Sequence, residues 1–454
     1  MSIPAAQDNT PVESREQLLH HCAHGIKPKT GLLIGTEHEK FPLDAKTLKP
    51  VPYEGKNGVR ALLEGMTRFG FKPVMEGEHI VALERGRENI TLEPAGQFEL
   101  SGAPLNNLHE SAAELERHTR EVKEVAAELG LVFLPHGYHP QARVEDMPWM
   151  PKGRYKIMRE YMPKVGKRGL EMMVLTCTTQ VNLDYVSESD MARKMRASLC
   201  ISPIVSALFA NSPFYQGKPN GFATNRCAVW LDVDGDRSGI PAMAFESGFG
   251  FERYVDYALD VPMYFVLRGG KYINCAGQSF RDFLKGKLPA LPGEKPIMAD
   301  WLNHLTTLFP DVRLKTYLEM RSADVGNPAM IMALPAFWVG LYYDDTALNR
   351  LEALTLGWSH AEVNRLRSEV PKLGFKAAVA GKTSLEWARE LVRLSCEGLA
   401  RRAVKDGNGA DETRYLDPLK IIVDSGKTQS ARLAELYGKE WQGDMGLAYK
   451  ALSL

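Results

Sequence analysis

Residues 35–41 read GTEHEKF, with two glutamates standing two positions apart in a strand-like run. A β-strand alternates its side chains between two faces, so Glu37 and Glu39 point the same way. Carboxylates held that close repel each other. The face they share must therefore be wet or carry a neutralising cation. Four other segments repeat the design. In residues 90–102, ITLEPAGQFELSG, Glu93 ends one extended piece; beyond the Pro94–Gly96 bend, Gln97, Glu99 and Ser101 share a face. In residues 174–185, VLTCTTQVNLDY, Thr176, Thr178, Gln180 and Asn182 oppose Cys177, Val181 and Leu183. Residues 224–233, TNRCAVWLDV, read as a strand that puts Arg226 and Trp230 on one face. In residues 312–324, VRLKTYLEMRSAD, Lys315, Tyr317, Glu319 and Arg321 oppose Leu314, Leu318 and Met320.

Any one segment fits an antiparallel sheet with one buried and one solvated face. Together they concentrate Glu, Gln, Asn and Arg on one face, with glycine- and proline-marked bends that would wrap the sheet around something. Several carboxylates with amide help make hard oxygen sites for Mg²⁺ or Mn²⁺. Arginines among them are costly unless they grip an anion such as phosphate or carboxylate. Carboxylates for metals and arginines for phosphates are the parts of nucleotide phosphoryl transfer without a P-loop.

Other motifs fail. Gly381-Lys382-Thr383 ends like a P-loop, but Lys376 stands where its first glycine belongs. Gly248-Phe249-Gly250 lacks the third glycine of a dinucleotide fingerprint. Asp232, Asp234 and Asp236 imitate a calcium loop whose twelfth position would be Met243, so they read as a polar hairpin tip. There is no HExxH, and His20, His21 and His24 read as a solvated helix face.

Lys plus Arg and Asp plus Glu both number 56, so no global field draws the chain to nucleic acid or an anionic membrane. The longest apolar run, 330–343, is interrupted by Pro335 and is too short to span a bilayer. The N-terminus lacks the pattern of a secretory signal. Six scattered cysteines without a CxxC read as reduced thiols in a cytoplasmic protein. Residues 1–14 read as a loose tail and 15–454 as one catalytic domain: a sheet-forming core to 344, then a helical part from 345. Apolar spacing predicts helices near 14–22, 105–129 (with Pro104 in its first turn), 191–210, 345–356, 359–370, 384–405 and 427–438, and a hairpin over 262–275. No strand is expected after Leu341.

Five blocks carry a family resemblance: GTEHEKF, LEPAGQFELSGAPL, YVDYALDVPMYF, FRDFLKGKLP, and YLEMRSAD followed by ALPAFWVGL. In collinear order over residues 35–341, they resemble the plant and proteobacterial type of glutamate–cysteine ligase. The resemblance implies an α+β, glutamine-synthetase-like fold: a curved, mostly antiparallel sheet cupping the active site, with helices behind. It implies that ATP phosphorylates the γ-carboxylate of L-glutamate, that the amine of L-cysteine attacks the γ-glutamyl phosphate, and that this is the first step of glutathione synthesis. It implies Mg²⁺, or Mn²⁺, at Glu37, Glu39, Glu93 and Glu319, with Gln180 and Glu99 as metal or nucleotide contacts. Arg226 and Arg321 would act on the glutamate carboxylate and the transferring phosphoryl group; Arg154, Trp230 and Tyr264 would line the amino-acid pockets. A monomer or homodimer is expected, without nucleic-acid or membrane partners. The plant members' redox disulfides are not expected, because Cys275 would face Ala290 and the second pair falls near Ala112 and Met332. Two alternatives stand beside this reading: a ligase of the same fold with another amine acceptor, and a non-catalytic nucleotide- or metal-binding protein of that fold.

Overall fold

The computed structural model describes residues 8–454. Residues 1–7 of the expected tail lie outside the described residues. The remainder of that segment is not loose: Val12 is buried and its N–H donates to the Pro296 carbonyl at 2.9 Å.

The centre is a nine-stranded sheet in which every pairing is antiparallel. Its strands are β1 (Ile34–Asp44), β2 (Lys72–Glu76), β3 (His79–Arg85), β4 (Glu88–Leu92), β5 (Phe98–Ser101), β6 (Leu131–Leu134), β7 (Thr178–Leu183), β8 (Val312–Leu314) and β9 (Leu318–Asp324). The spatial order is β8-β9-β7-β1-β5-β4-β3-β2, and β6 pairs with the far end of β1. The bend at residues 94–96 returns the chain from β4 to β5; Gly96 has φ +83°, a conformation that a Cβ penalises.

One sheet face is covered by apolar helices. Leu108–Leu129 is capped by Asn107, whose side chain accepts from the Glu110 N–H, and ends at Gly130 with φ +64°. It thus starts three residues later than Leu105, and Pro104 lies outside it. Pro328–Tyr342 is buried at every position from Met330 to Tyr342, as a helix apolar all round must be. Helix Ser384–Arg402 packs against it, which ties the C-terminal helices to the sheet rather than leaving them apart. The expected helices at 14–22, 191–210, 345–356, 359–370 and 427–438 and the 262–275 hairpin are present with shifted ends. Asp417–Ser425 and Met445–Leu452 are further helices. The expectation of no strands after Leu341 is corrected by a small pair, Ala378–Val379 with Lys382–Thr383.

The segment expected as a strand at 224–233 is instead a five-residue helix, Asn225–Val229, capped by Thr224. Asp234 is not at a solvated tip: it is buried and paired with the fully buried Arg237 at 2.6 Å.

Helices 328–342 and 384–402 meet through glycines. A Cβ on Gly398 would lie 1.9 Å from the Gly340 carbonyl oxygen. Gly398→Ala is expected to destabilise the protein by about 1–3 kcal/mol through overpacking. Urea unfolding followed by tryptophan fluorescence checks this; an unchanged midpoint would show that the two helices part freely.

Candidate active site

Register assembles the polar face. Glu37 lies opposite Ser101 of β5 and Gln180 of β7, Glu39 opposite Glu99, Thr91 opposite Glu99, and Glu319 opposite Asn182. Four carboxylates from three strands therefore share one surface. That surface is not solvated: Glu37 and Glu39 are 4% and 8% exposed, and Glu99 and Glu319 are 0% exposed. Helices Gly153–Val165 and Gly169–Leu175, the Asn225–Val229 turn and residues 306–309 roof it over.

The polar groups hold each other in place. The Asn182 amide donates to Glu37 Oε1 at 2.9 Å, the Thr178 N–H donates to Glu39 Oε2 at 3.0 Å, and the Thr91 hydroxyl donates to Glu99. Glu319 sits among cations. Arg313 Nε donates to its Oε2 at 2.5 Å, Arg321 Nη1 to the same oxygen at 3.0 Å, and Lys315 Nζ to Oε1 at 3.3 Å. Arg321 Nη1 also donates to the Gln180 side-chain carbonyl.

The charges divide accordingly. Burial pushes the Glu39 carboxyl well above its ordinary range, and nearby Glu93 and Glu99 push it further, against the pull of Arg226. Burial raises Glu37 too, with Glu319 and Glu99 adding to it. Burial would raise Glu319, but Arg313, Lys315 and Arg321 outweigh it and hold that carboxyl well below the usual range. So Glu319 is a compensated anion, while burial keeps Glu37 and Glu39 shifted toward the neutral form.

Two cavities open on this face. The first, about 730 Å³ with its open mouth, is lined by Glu39, Glu93, Gln180, Arg154, Arg226 and Arg321, with Trp230 and Phe309 among its walls. The second, about 1000 Å³, is lined by Glu37, Asn89, Thr91, Arg87, Lys27 and Tyr317. Arg154 stands in the first turn of its helix, 5% exposed. Its guanidinium lies 5.1 Å from the Phe265 ring centroid, and Nη2 donates to Thr306 Oγ1 at 3.3 Å. Its buried Nε has no hydrogen-bond partner.

Arg226 and Trp230 do share a face, but as the i and i+4 positions of a helical turn rather than through strand alternation. Tyr264 does not join them. It is 1% exposed, lies under the Arg237 guanidinium at 3.8 Å and lines neither cavity, so its expected place in a substrate pocket is corrected. Its apolar neighbours put it in the core. Arg313 is the residue the sequence reading missed. It lines the first cavity from β8, opposite Glu319 across the β8–β9 turn. Odd-numbered alternation through 313, 315, 317 and 319 carried that signal.

The sequence model of Glutamate-cysteine ligase family 2 matches residues 33–451. The chain is 52% identical over 429 residues to the chloroplastic glutamate–cysteine ligase of Arabidopsis thaliana, covering 94% of this chain and 80% of that enzyme. It is 48% identical over 440 residues to the chloroplastic glutamate–cysteine ligase B of Oryza sativa subsp. japonica, covering 97% and 87%. The fold is shared with a glutamate–cysteine ligase from Francisella tularensis solved with AMP, at TM-score 0.51 and 13% identity over 91% of this chain and 86% of that one. The cytoplasmic assignment is corrected by the two plant relatives, which are chloroplastic enzymes. All six cysteines are free. The chain belongs to glutamate–cysteine ligase family 2.

Proposed function

We propose that the two cavities are the halves of one ligase active site, with the acidic sheet face as their common floor. The activity is the ATP-dependent joining of L-glutamate to L-cysteine, the first step of glutathione synthesis. The observation that supports this division of labour is that Glu39 and Glu93 line a single cavity together with Arg154, Arg226 and Arg321.

In this reading Glu37, Glu39, Glu93 and Glu319 hold Mg²⁺, or Mn²⁺ in its place, with Glu99 and Gln180 beside them. The donors are hard carboxylate oxygens, and at Glu37 and Glu39 burial opposes their ionisation, which a cation would relieve. At Glu319 both oxygens already accept from Arg313, Arg321 and Lys315, so a metal there would have to displace these. Among the described residues no three His, Cys, Asp or Glu side chains are gathered closely enough to hold an ion, so binding has to draw them together. When bound, the metal neutralises polyphosphate oxygens and polarises the transferred phosphoryl group.

The chain's own cations do the rest. Arg154 and Arg226 grip the glutamate carboxylates, and fixed guanidinium forks suit that task better than a lysine. Arg321, oriented by Gln180 and Glu319, faces the charge that develops as the γ-carboxylate becomes an acyl phosphate. Trp230 and Phe309 shield that phosphate from water while the cysteine amine attacks.

ADP release is expected only when glutamate and cysteine are both present, measured in a coupled assay; a different amine outcompeting cysteine would overturn the acceptor. Glu37→Gln and Glu319→Gln are each expected to lower turnover by about 100-fold or more, because metal-based charge stabilisation contributes several kcal/mol. Circular dichroism should show both variants folded. Normal turnover in the two would sink the metal assignment.

Stability should also report the stressed carboxylate. The folded pKa of Glu39 lies above its unfolded one, so its stabilising contribution is complete below the ordinary carboxylate range. It is lost as pH rises through the raised value. In EDTA at pH 7, Glu39→Gln is therefore expected to melt above the parent, with the gap closing as pH falls to about 4. A variant melting below the parent at pH 7 would refute the electrostatic stress.

A further inference from the structure

Arg226 owes its aim to a residue outside the cavity. Asp324 ends β9, and its carboxylate has no exposed side-chain surface. Three neutral donors converge on it: the Asn211 N–H at 2.9 Å and Ser212 Oγ at 2.6 Å on Oδ2, and Thr224 Oγ1 at 3.1 Å on Oδ1. Arg226 Nη1 stands 3.9 Å from Oδ1 and is its ion-pair partner. Backbone closes in from the other side, since a Cβ on Gly137 would lie 2.5 Å from Asp324 Cγ.

The same donors build the short helix that carries Arg226. Thr224 Oγ1 caps it by accepting from the Cys227 N–H at 3.1 Å, and Ser212 Oγ accepts from the Arg226 N–H at 3.3 Å. At its far end Arg226 Nη2 donates to the Arg321 carbonyl at 3.0 Å. A helix of five residues does not hold its own direction. Here the cap, the preceding loop and the guanidinium are all referred to one carboxylate on a sheet strand. Neutral Asn or Ser could fasten loop to strand; a buried anion is costly unless a cation compensates it.

We propose that Asp324 is a positioning residue that fixes the guanidinium of Arg226 for the glutamate carboxylate. The inference rests on the substrate-binding reading of Arg226. Asp324→Asn keeps the acceptor for Asn211 and Ser212 but removes the charge. It is expected to fold, to raise KM for glutamate about 10-fold through loss of the buried ion-pair partner that stands 3.9 Å from Arg226, and to leave KM for ATP unchanged. Arg226→Lys should raise the same constant, and the double variant should be no worse than the poorer single one, as for residues acting as a unit. An unchanged KM for glutamate in Asp324→Asn while Arg226→Lys is impaired, or effects that multiply in the double variant, overturns the proposal. If Arg226→Lys itself leaves glutamate kinetics unchanged, the substrate-binding reading fails and takes this inference with it. Should Asp324→Asn not fold, Thr224→Val, which removes the hydroxyl held by Oδ1 but no charge, is expected to raise KM for glutamate about threefold; no change there overturns it equally.

Discussion

Glutamates buried side by side on one sheet face are the constraint around which this molecule is arranged. Glu37, Glu39, Glu99 and Glu319 are almost wholly buried, so their charge has to be met by protein cations, by hydrogen-bond donors or by a bound ion. Protein cations meet Glu319 almost completely. Glu37 and Glu39 receive amide donors and remain electrostatically stressed. The carboxylates of one face thus carry opposite shifts, lowered at β9 and raised at β1.

The opposite face of the same strand shows how the chemistry is confined. His38 and Lys40 alternate with the glutamates and point into the layer beneath the Leu108–Leu129 helix. There Lys40 Nζ lies 2.9 Å from His118 Nε2, and the His38 and His118 rings meet edge to face at 5.5 Å. Burial and the Lys40 charge hold the His38 imidazole well below its ordinary range, so it stays neutral. His38 thus belongs to the packing, as its position between the two glutamates implied, and the acidic face is insulated from a polar but separate layer.

The parts that were legible in the sequence were those governed by local periodicity. Alternation placed Glu37, Glu39, Glu99, Gln180 and Glu319 on one surface, and helix spacing found most of the C-terminal helices. Arg226 and Trp230 came out on a common face because a two-residue period and a 3.6-residue period both bring i and i+4 into line, although the strand assumed for them is a helix. Tyr264 was misplaced because an aromatic in an apolar run looks the same whether its ring meets substrate or, as here, Arg237. Arg313 was overlooked because a turn separates it from Glu319, and pairing across that turn is a matter of register.

Sequence therefore decided which chemical groups were available and which face each strand would give them, since the period of a strand is set by backbone geometry alone. The family assignment also lay in the sequence, in long collinear blocks. Folding decided the burial of the acidic face, the split between compensated and stressed carboxylates, and the gathering of Arg154, Arg226 and Arg321 around one cavity with Glu39 and Glu93. Those depend on elements far apart in the chain closing over one sheet. A carboxylate's charge state follows from the whole set of neighbours within a few ångströms, which no local pattern contains.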